Sequence, residues 1–533
     1  MTAEKYTLPP DPARMVEGLR DTGYVFKTAV ADVIDNSIAA EASEIDVELK
    51  MAFRGSISLR IFDNGTGMDR EGLINAMRYG AKVRPSLASL GKFGLGLKTA
   101  STAFCRKLSV ISRANADDEL IKATWSLDHV AKEGWELLLS DPTEEEAKAF
   151  NAKIGKRAGT LVIWDQVDRL LRNFAQPDGA HARKALTKYE DELREHLALI
   201  YQRYLDGKDT RARTVILRLN DKAVSAWDPF CEEHALLAKE ETFPCQMPNG
   251  TESSIRLRAF ILPRKEEFKT DEAFKAAKLS NFNQGIYIYR ENRLIHGPDW
   301  LKLFSKEPHY TLLRVEFSFD HKLDEAFHID IKKSQIILDE ALYEHLTDFL
   351  NPVRREAERI YRSGQRSQTS RKAAGAHDTS NRNIGGKEES IKGPAVLDSD
   401  EAKGEATIQN PRGKVKLKIG VAAPKNPNEI HIQPVDSLED GLLWQPAISK
   451  GPDGSTHIAA KINTGHPYYQ KVYVPNLSTG VTIQGMDALL WGLSVSELNC
   501  TTDADKRLFD DLRFDVSRNL RKLVEDLPEP EVE

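Results

Sequence analysis

No run of about 18 consecutive apolar residues occurs anywhere in the 533-residue chain, which predicts that it carries no membrane-spanning helix. The N-terminal stretch MTAEKYTLPPDPARM lacks a basic segment followed by an apolar core, so a secretory leader is not expected either and a cytoplasmic location is. Cysteine is scarce. Cys105, Cys231, Cys245 and Cys500 are widely scattered, with no CxxC pair and no histidine at ligand spacing, which excludes a disulfide framework or a zinc knuckle and predicts reduced thiols. A strong charge of one sign is missing as well: a formal net charge of -6 gives no global attraction to nucleic acid. What remains is an ordinary globular composition, 40% hydrophobic and 29% charged, in a chain too long for one hydrophobic core.

The periodicities predict an α+β protein in several parts. VFKTAVADVIDNSIAA places Phe26, Val30, Val33, Ile34 and Ile38 at helical spacing. ASEIDVELKMA and GSISLRIFDNG alternate like an antiparallel strand pair turning near Arg54 and Gly55. A helix over 71–79, a loop over 81–95, a helix from LKTASTAFC, and strands in KLSVISR and TLVIWDQVD complete a helical layer over a mixed sheet in residues 1–170. A connecting helix is expected in 171–208. A second α+β domain follows in 209–350, with strands RTVILRLN, SSIRLRAFILP, GIYIYRENRLI and LLRVEFSFD. Residues 351–410 are polar and rich in Gly and Ser, which predicts a basic helix end and a flexible linker, and 411–533 regain strand and helix signals as a C-terminal α+β domain of unknown role.

Three local patterns carry chemistry. Asp63-Asn64-Gly65-Thr66-Gly67-Met68 ends an apolar strand, where a buried carboxylate can accept a hydrogen bond from an exocyclic amine while the glycines admit a flat ring; alone, DNGTG is equally a plain turn. Gly91-Lys92-Phe93-Gly94-Leu95-Gly96-Leu97-Lys98 precedes a helix, so backbone N–H groups and two lysines can meet phosphate oxygens. It is not a Walker loop, because Leu97 stands where that motif needs lysine. Asp32 and Asn36 are neighbours on one helical face, a carboxylate suited to general-base work and an amide oxygen suited to Mg²⁺. Asp35 beside them is assigned a structural or supporting contact.

Taken in order, ADVIDNS, DNGTGM, LGKFGLGLKT and Gly159-Thr160-Leu161-Val162 resemble the four ATP-site motifs of the GHKL superfamily of gyrase, heat-shock chaperone, histidine kinase and MutL ATPases. The resemblance implies a Bergerat-fold sandwich binding ATP and Mg²⁺, with Asn36 on the metal, Asp63 on the adenine amine, Gly65, Gly67 and Met68 lining the base, and Thr160 supporting it. Lys82, Gly91, Lys92, Phe93, Gly94, Leu95, Gly96 and Lys98 are implied as the phosphate lid. Asp32 is implied as the base, one methylene shorter than the glutamate usual in gyrase-like, MutL-like and MORC-like members, which implies slow turnover. GIYIYRENRLIHG and HIDIKKSQI resemble the S5-like transducer of MORC ATPases, so Lys332 or Lys333 is implied as the lysine that meets the γ-phosphate.

The resemblance covers residues 20–350 and is closest to MORC-like proteins of prokaryotic type. It implies an ATP-dependent homodimer that acts on DNA or a partner effector protein, in restriction or antiphage defence. A heat-shock-type remodelling chaperone and an assembly module that hardly turns over are the alternatives; a sensor kinase is not, since no histidine precedes Asn36. Two features stand outside the motifs. Arg354, Arg355, Arg359, Arg362, Arg366, Arg371 and Lys372 form a basic cluster that suits either a phosphate backbone or a solvated helix end. His466, in NTGHPY, is more in keeping with a structural than a catalytic histidine.

Overall fold

The computed structural model describes residues 11–21, 23–79, 96–174, 178–246, 252–324, 340–373, 375–424, 426–476, 480–502 and 504–525, with a few single residues besides. Two compact units divide the chain, Met1–Glu358 and Arg359–Glu533. Among the described residues no helix is long and apolar enough to cross a membrane.

In the first unit the chain runs through helices α1 (Pro12–Arg20) and α2 (Phe26–Ala39), strands β1 (Glu44–Met51) and β2 (Ile57–Asp63), and helices α3 (Arg70–Met77) and α4 (Gly96–Thr102). Strands β3 (Cys105–Arg113) and β4 (Ile121–Ser126), helix α5 (Leu127–Glu133), strand β5 (Leu138–Ser140), helix α6 (Glu144–Lys153) and strand β6 (Gly159–Val167) follow. The two alternating segments pair antiparallel as expected, Ile45 opposite Asp63 and Met51 opposite Ile57. Helix α2 lies on this sheet because its apolar stripe has nowhere else to go: Ala29, Val30, Val33 and Ile34 are all buried in the same core as Ile45, Leu59 and Ile61.

The sheet has eight strands in the order β5-β4-β3-β6-β2-β1-β7-β8, and its last two correct the expected boundary. Strand β7 (Ile216–Leu219), within the segment RTVILRLN, does not open a second domain; it pairs parallel with β1, Glu44 opposite Ile216, and turns into β8 (Lys222–Ala223). Helices α7 (Ala180–Ile200) and α8 (Gln202–Leu205) bring the chain back to that edge. Leu193, Leu197 and Ile200 of α7 join the core under α2, and Tyr189 meets Phe26 edge-on with ring centroids 6.0 Å apart.

A second sheet in this unit has the order β12-β11-β13-β10-β9, from β9 (Leu236–Gln246), β10 (Glu252–Ile261), β11 (Gly285–Arg290), β12 (Arg293–Asp299) and β13 (Leu313–Phe319), with α9 (Asp271–Ala277) between. Strands β11 and β12 form the strand-turn-strand expected around NRLI. Its two turn residues, Glu291 and Asn292, both have positive φ (47° and 66°), the backbone that a two-residue hairpin requires. Residues α8 contributes pin this sheet: Arg203 pairs with buried Glu316 at 2.9 Å, and the Tyr204 hydroxyl donates to the Glu291 carbonyl at 2.8 Å.

The expected linker is not one. After α10 (Glu340–Ala373), residues 378–410 form α11 (Asp378–Gly385), β14 (Ala395–Asp400) and β15 (Glu405–Asn410). They belong to the second unit with β16 (Gly413–Lys418), β17 (Gly420–Ala422), β18 (Ile432–Val435), β19 (Trp444–Lys450), β20 (Thr456–Asn463), α12 (Gly480–Cys500) and α13 (Lys506–Leu523). The polar composition misleads because polar side chains do the anchoring. Buried His377 contacts Asp487 at 2.8 Å, and the Asn381 amide oxygen accepts from the backbone N–H groups of His431 and Ile432 at 2.7 and 2.9 Å. His466 is structural: buried, it accepts from the Tyr468 N–H and meets the Ser517 carbonyl, and burial lowers its pKa to about 4.

Candidate functional site

Strand β2 delivers Asp63 to the end of the sheet, where its carboxylate is 4% exposed. Ser37 donates its hydroxyl to Asp63 Oδ2 at 2.8 Å, and the Gly65 N–H donates to Oδ1 at 3.0 Å. Burial nonetheless pushes the Asp63 pKa up to about 6, the two hydrogen bonds only partly opposing it. A carboxylate kept away from water at this cost is one that an amine donor would stabilise further. Register sets its neighbours: Asp63 lies opposite Thr160 on β6, and Ser112 on β3 lies opposite Thr160 from the other side. The Ser112 hydroxyl contacts Thr160 Oγ1 at 3.1 Å and accepts from the Met68 N–H at 2.9 Å, so the DNGTGM turn is tied to the sheet floor.

Both glycines of that turn are required by the protein's own backbone rather than only by a ligand. A Cβ on Gly65 would lie 2.6 Å from the Ala40 carbonyl oxygen, and one on Gly67, at φ +64°, would lie 2.0 Å from the Arg113 carbonyl oxygen. Gly67→Ala is expected to destabilise the first unit by about 3 kcal/mol, through overpacking and backbone strain together. Gly96 has open space around it, so Gly96→Ala is expected to be neutral or slightly stabilising. Parallel thermal melts of the two variants check the contrast; equal melting shifts would contradict it.

Helix α2, which carries Ser37, also presents Asp32 and Asn36, one turn apart. The Asn36 amide nitrogen donates to the Asp32 backbone carbonyl at 3.0 Å, which turns the nitrogen rather than the oxygen toward the helix. Asp32, 7% exposed, accepts from the Tyr24 hydroxyl at 3.0 Å. Its other oxygen is 3.5 Å from Arg293 Nη2. Arg293 belongs to the NRLI segment at the start of β12, and its Nε also donates to Asp35 Oδ1 at 2.7 Å. Asp35 is fully buried and lies 2.7 Å from the Tyr201 hydroxyl, which is equally close to the Ala31 carbonyl. One buried guanidinium from the second sheet thus compensates two carboxylates on the helix that carries Asn36.

Sequence had marked NRLI as a segment but not Arg293 as a contact, and it missed Ser37, Ser112, Tyr24 and Tyr201. Asp35 makes the supporting contact expected of it. Lys98 is enclosed. It is 1% exposed, and its ammonium donates to the Ala76 carbonyl at 2.9 Å and sits 6.0 Å from the Tyr79 ring, which ties α4 to α3. Arg354 of the basic cluster stacks on Phe304 and Tyr310, with its guanidinium carbon 3.6 and 4.3 Å from their centroids, which makes it a packing residue. Lys82, Gly91, Lys92, Phe93, Gly94, Leu95, Lys332 and Lys333 lie outside the described residues, as do the side chains of Arg362, Arg366, Arg371 and Lys372.

Residues 24–160 match the family described as histidine kinase-, DNA gyrase B- and HSP90-like ATPase. The chain is also 39% identical over 169 residues to the ATPase MORC2B of Mus musculus, a match covering 25% of this chain and 16% of that relative. The chain therefore spans well under two thirds of the relative's length. A solved structure described as the N-terminal domain of a DNA repair protein aligns over 65% of this chain and 99% of its own, at 16% identity and a TM-score of 0.39.

Proposed function

We propose that this chain, whose residues 24–160 are a GHKL-type ATPase domain with MORC-like similarity, is a Mg²⁺-dependent ATP switch whose state is read by the second sheet through Arg293. The observation that carries the proposal is the burial of Arg293 from β12 against Asp32 and Asp35 on α2. Asp63 receives the adenine amine, with Ser37 and Gly65 fixing the carboxylate and Thr160 beneath it. Asn36, its amide oriented by the Asp32 carbonyl, offers an oxygen to Mg²⁺. When bound, the ion neutralises phosphate charge. Asp32 is the group that accepts the proton of the attacking water, held in place by Tyr24 and Arg293. Any shift of α2 on nucleotide binding moves Asp32 and Asp35 together, and the second sheet must follow or lose a buried ion pair.

In this proposal closure brings two copies together and acts on DNA or a partner protein, as an antiphage or restriction component would. A second arrangement has one observation in its favour: Asp32 is already held by Tyr24 and Arg293, which suits a module that binds ATP to assemble and hydrolyses it slowly. Steady-state hydrolysis with and without double-stranded DNA, together with nucleotide-dependent mass, separates the two. The expected result is turnover that falls at least about a hundredfold in Asp32→Ala, the usual size of a general-base contribution, and that also falls in Asn36→Ala, which removes the oxygen offered to Mg²⁺. DNA stimulation supports the DNA-directed switch, and ATP-dependent dimerisation without measurable turnover supports the assembly module. Turnover that survives Asp32→Ala removes Asp32 from the chemistry.

A further inference from the structure

In the second unit Glu388, His431 and His457 converge from three separate segments, and one ligand atom of each lies within 4.8 Å of the others. Glu388 Oε2 is 2.8 Å from His457 Nδ1 and 3.9 Å from His431 Nε2. The His431 and His457 rings stand nearly perpendicular, with centroids 5.4 Å apart. Tetrahedral zinc with ligands at about 2.0–2.1 Å holds its donor atoms about 3.3 Å from one another, so side-chain adjustments of no more than about 1.5 Å bring the trio onto one ion.

The surroundings hold the donor atoms in place. Ser455, whose hydroxyl also meets Asp453, lies 2.6 Å from His457 Nε2. His457 Nδ1 lies 2.8 Å from Glu388 Oε2, so the ring nitrogen facing the carboxylate is the one that would share an ion with it. This is the arrangement that orients a metal-binding imidazole, its far nitrogen held by an outer partner.

His431 supplies the independent observation. Its side chain is 5% exposed, its Nε2 faces the Glu388 carboxylate at 3.9 Å, and its Nδ1 is enclosed without a hydrogen-bond partner. Its backbone is clamped by Asn381. Gly385 has no positive φ to explain it, but a Cβ there would lie 3.1 Å from His431 Nε2, so glycine keeps that nitrogen clear. An open cleft of about 520 Å³, lined by Asn381, Gly385 and Asn428, leads to His431 and gives an ion a way in.

We propose that Glu388, His431 and His457 form a site for a divalent transition metal of the zinc class, with a fourth position left for water or another ligand. The metal would fasten the segment after α11 to β18 and β20, in place of the apolar contacts this polar stretch lacks.

The test is titration of the full, chelator-stripped chain with Co²⁺, followed by visible absorption and by Zn²⁺ competition. Wild type, Glu388→Gln and His457→Asn are compared; both changed residues are only partly buried, and far-UV circular dichroism establishes that the variants fold. The expected result is one Co²⁺ per chain with a tetrahedral d–d spectrum, displaced by Zn²⁺. Affinity should fall at least about a hundredfold in each variant, since loss of an outer-shell partner alone costs 10–100-fold. Ser455→Ala is expected to weaken binding about tenfold. Absence of binding by the wild type, or undiminished binding by either ligand variant, overturns the site and leaves His457 as an imidazolium paired with Glu388.

Discussion

Asp63→Asn is expected to weaken nucleotide binding by about a hundredfold while the nucleotide-free protein melts at a higher temperature. The loss follows from replacing a charged acceptor that faces the adenine amine with an amide, which removes a charge-assisted hydrogen bond of about 3 kcal/mol. The gain follows from linkage. The folded pKa of Asp63, about 6, lies above its ordinary value of 3.8, so the folded state holds its proton more tightly than the unfolded chain does. Stability therefore declines as pH rises between about 4 and 6, and the full penalty, about 3 kcal/mol, is present at pH 7. Asparagine carries no such penalty. Its oxygen can still accept from the Gly65 N–H, and its amide can donate to Ser37. The same pKa requires wild-type affinity to fall as pH drops below about 6, and this slope should vanish in Asp63→Asn. Calorimetric titration and melts at pH 5 and 7 check both halves; a variant that binds adenine nucleotide as tightly as the wild type would remove Asp63 from the base site.

Arg293 variants should separate fastening from positioning. Arg293→Ala leaves Asp35 buried without its cation, and such a loss costs about 3–5 kcal/mol, enough to endanger folding. Arg293→Lys is the informative change. Lysine keeps one positive charge but offers a single ammonium, where the guanidinium reaches Asp35 through Nε and Asp32 through Nη2. The expected result is a folded protein whose KM for ATP stays within about threefold while kcat falls about a hundredfold, the scale on which a displacement of about 1 Å disturbs a reacting geometry. Arg293 touches Asp32 and Asp35, so an unchanged kcat in the lysine variant would reduce it to a stability element.

The parts of this site that sequence makes legible are those set by local periodicity. Helix α2 with Asp32 and Asn36, the hairpin β1–β2 ending at Asp63, and the β11–β12 turn each depend on spacing within about a dozen residues. What was not legible depends on pairings across long stretches of chain. Alternation identifies 216–219 as a strand but says nothing of which sheet it joins; only the parallel register with β1 does. The contact between Arg293 and Asp32 spans 261 residues and leaves no local trace. Composition failed over 378–410 because Ile384, Ala406 and Ile408 are few, and the rest of the anchoring is by His377 and Asn381, residues that resemble linker in a sequence. The glycines of DNGTG were marked for the right positions with an incomplete reason, since the space they leave is needed by the Ala40 and Arg113 carbonyls.

The central claim, that nucleotide state at α2 is transmitted to the second sheet, is tested most directly by hydrogen exchange on the full chain with and without a non-hydrolysable MgATP analogue. The account predicts that the analogue slows exchange in α2 and also in the β11–β12 hairpin, and that Asp63→Asn abolishes both effects. Protection confined to the ATPase sheet and its helices, with β11–β12 unchanged at saturating analogue, would contradict it.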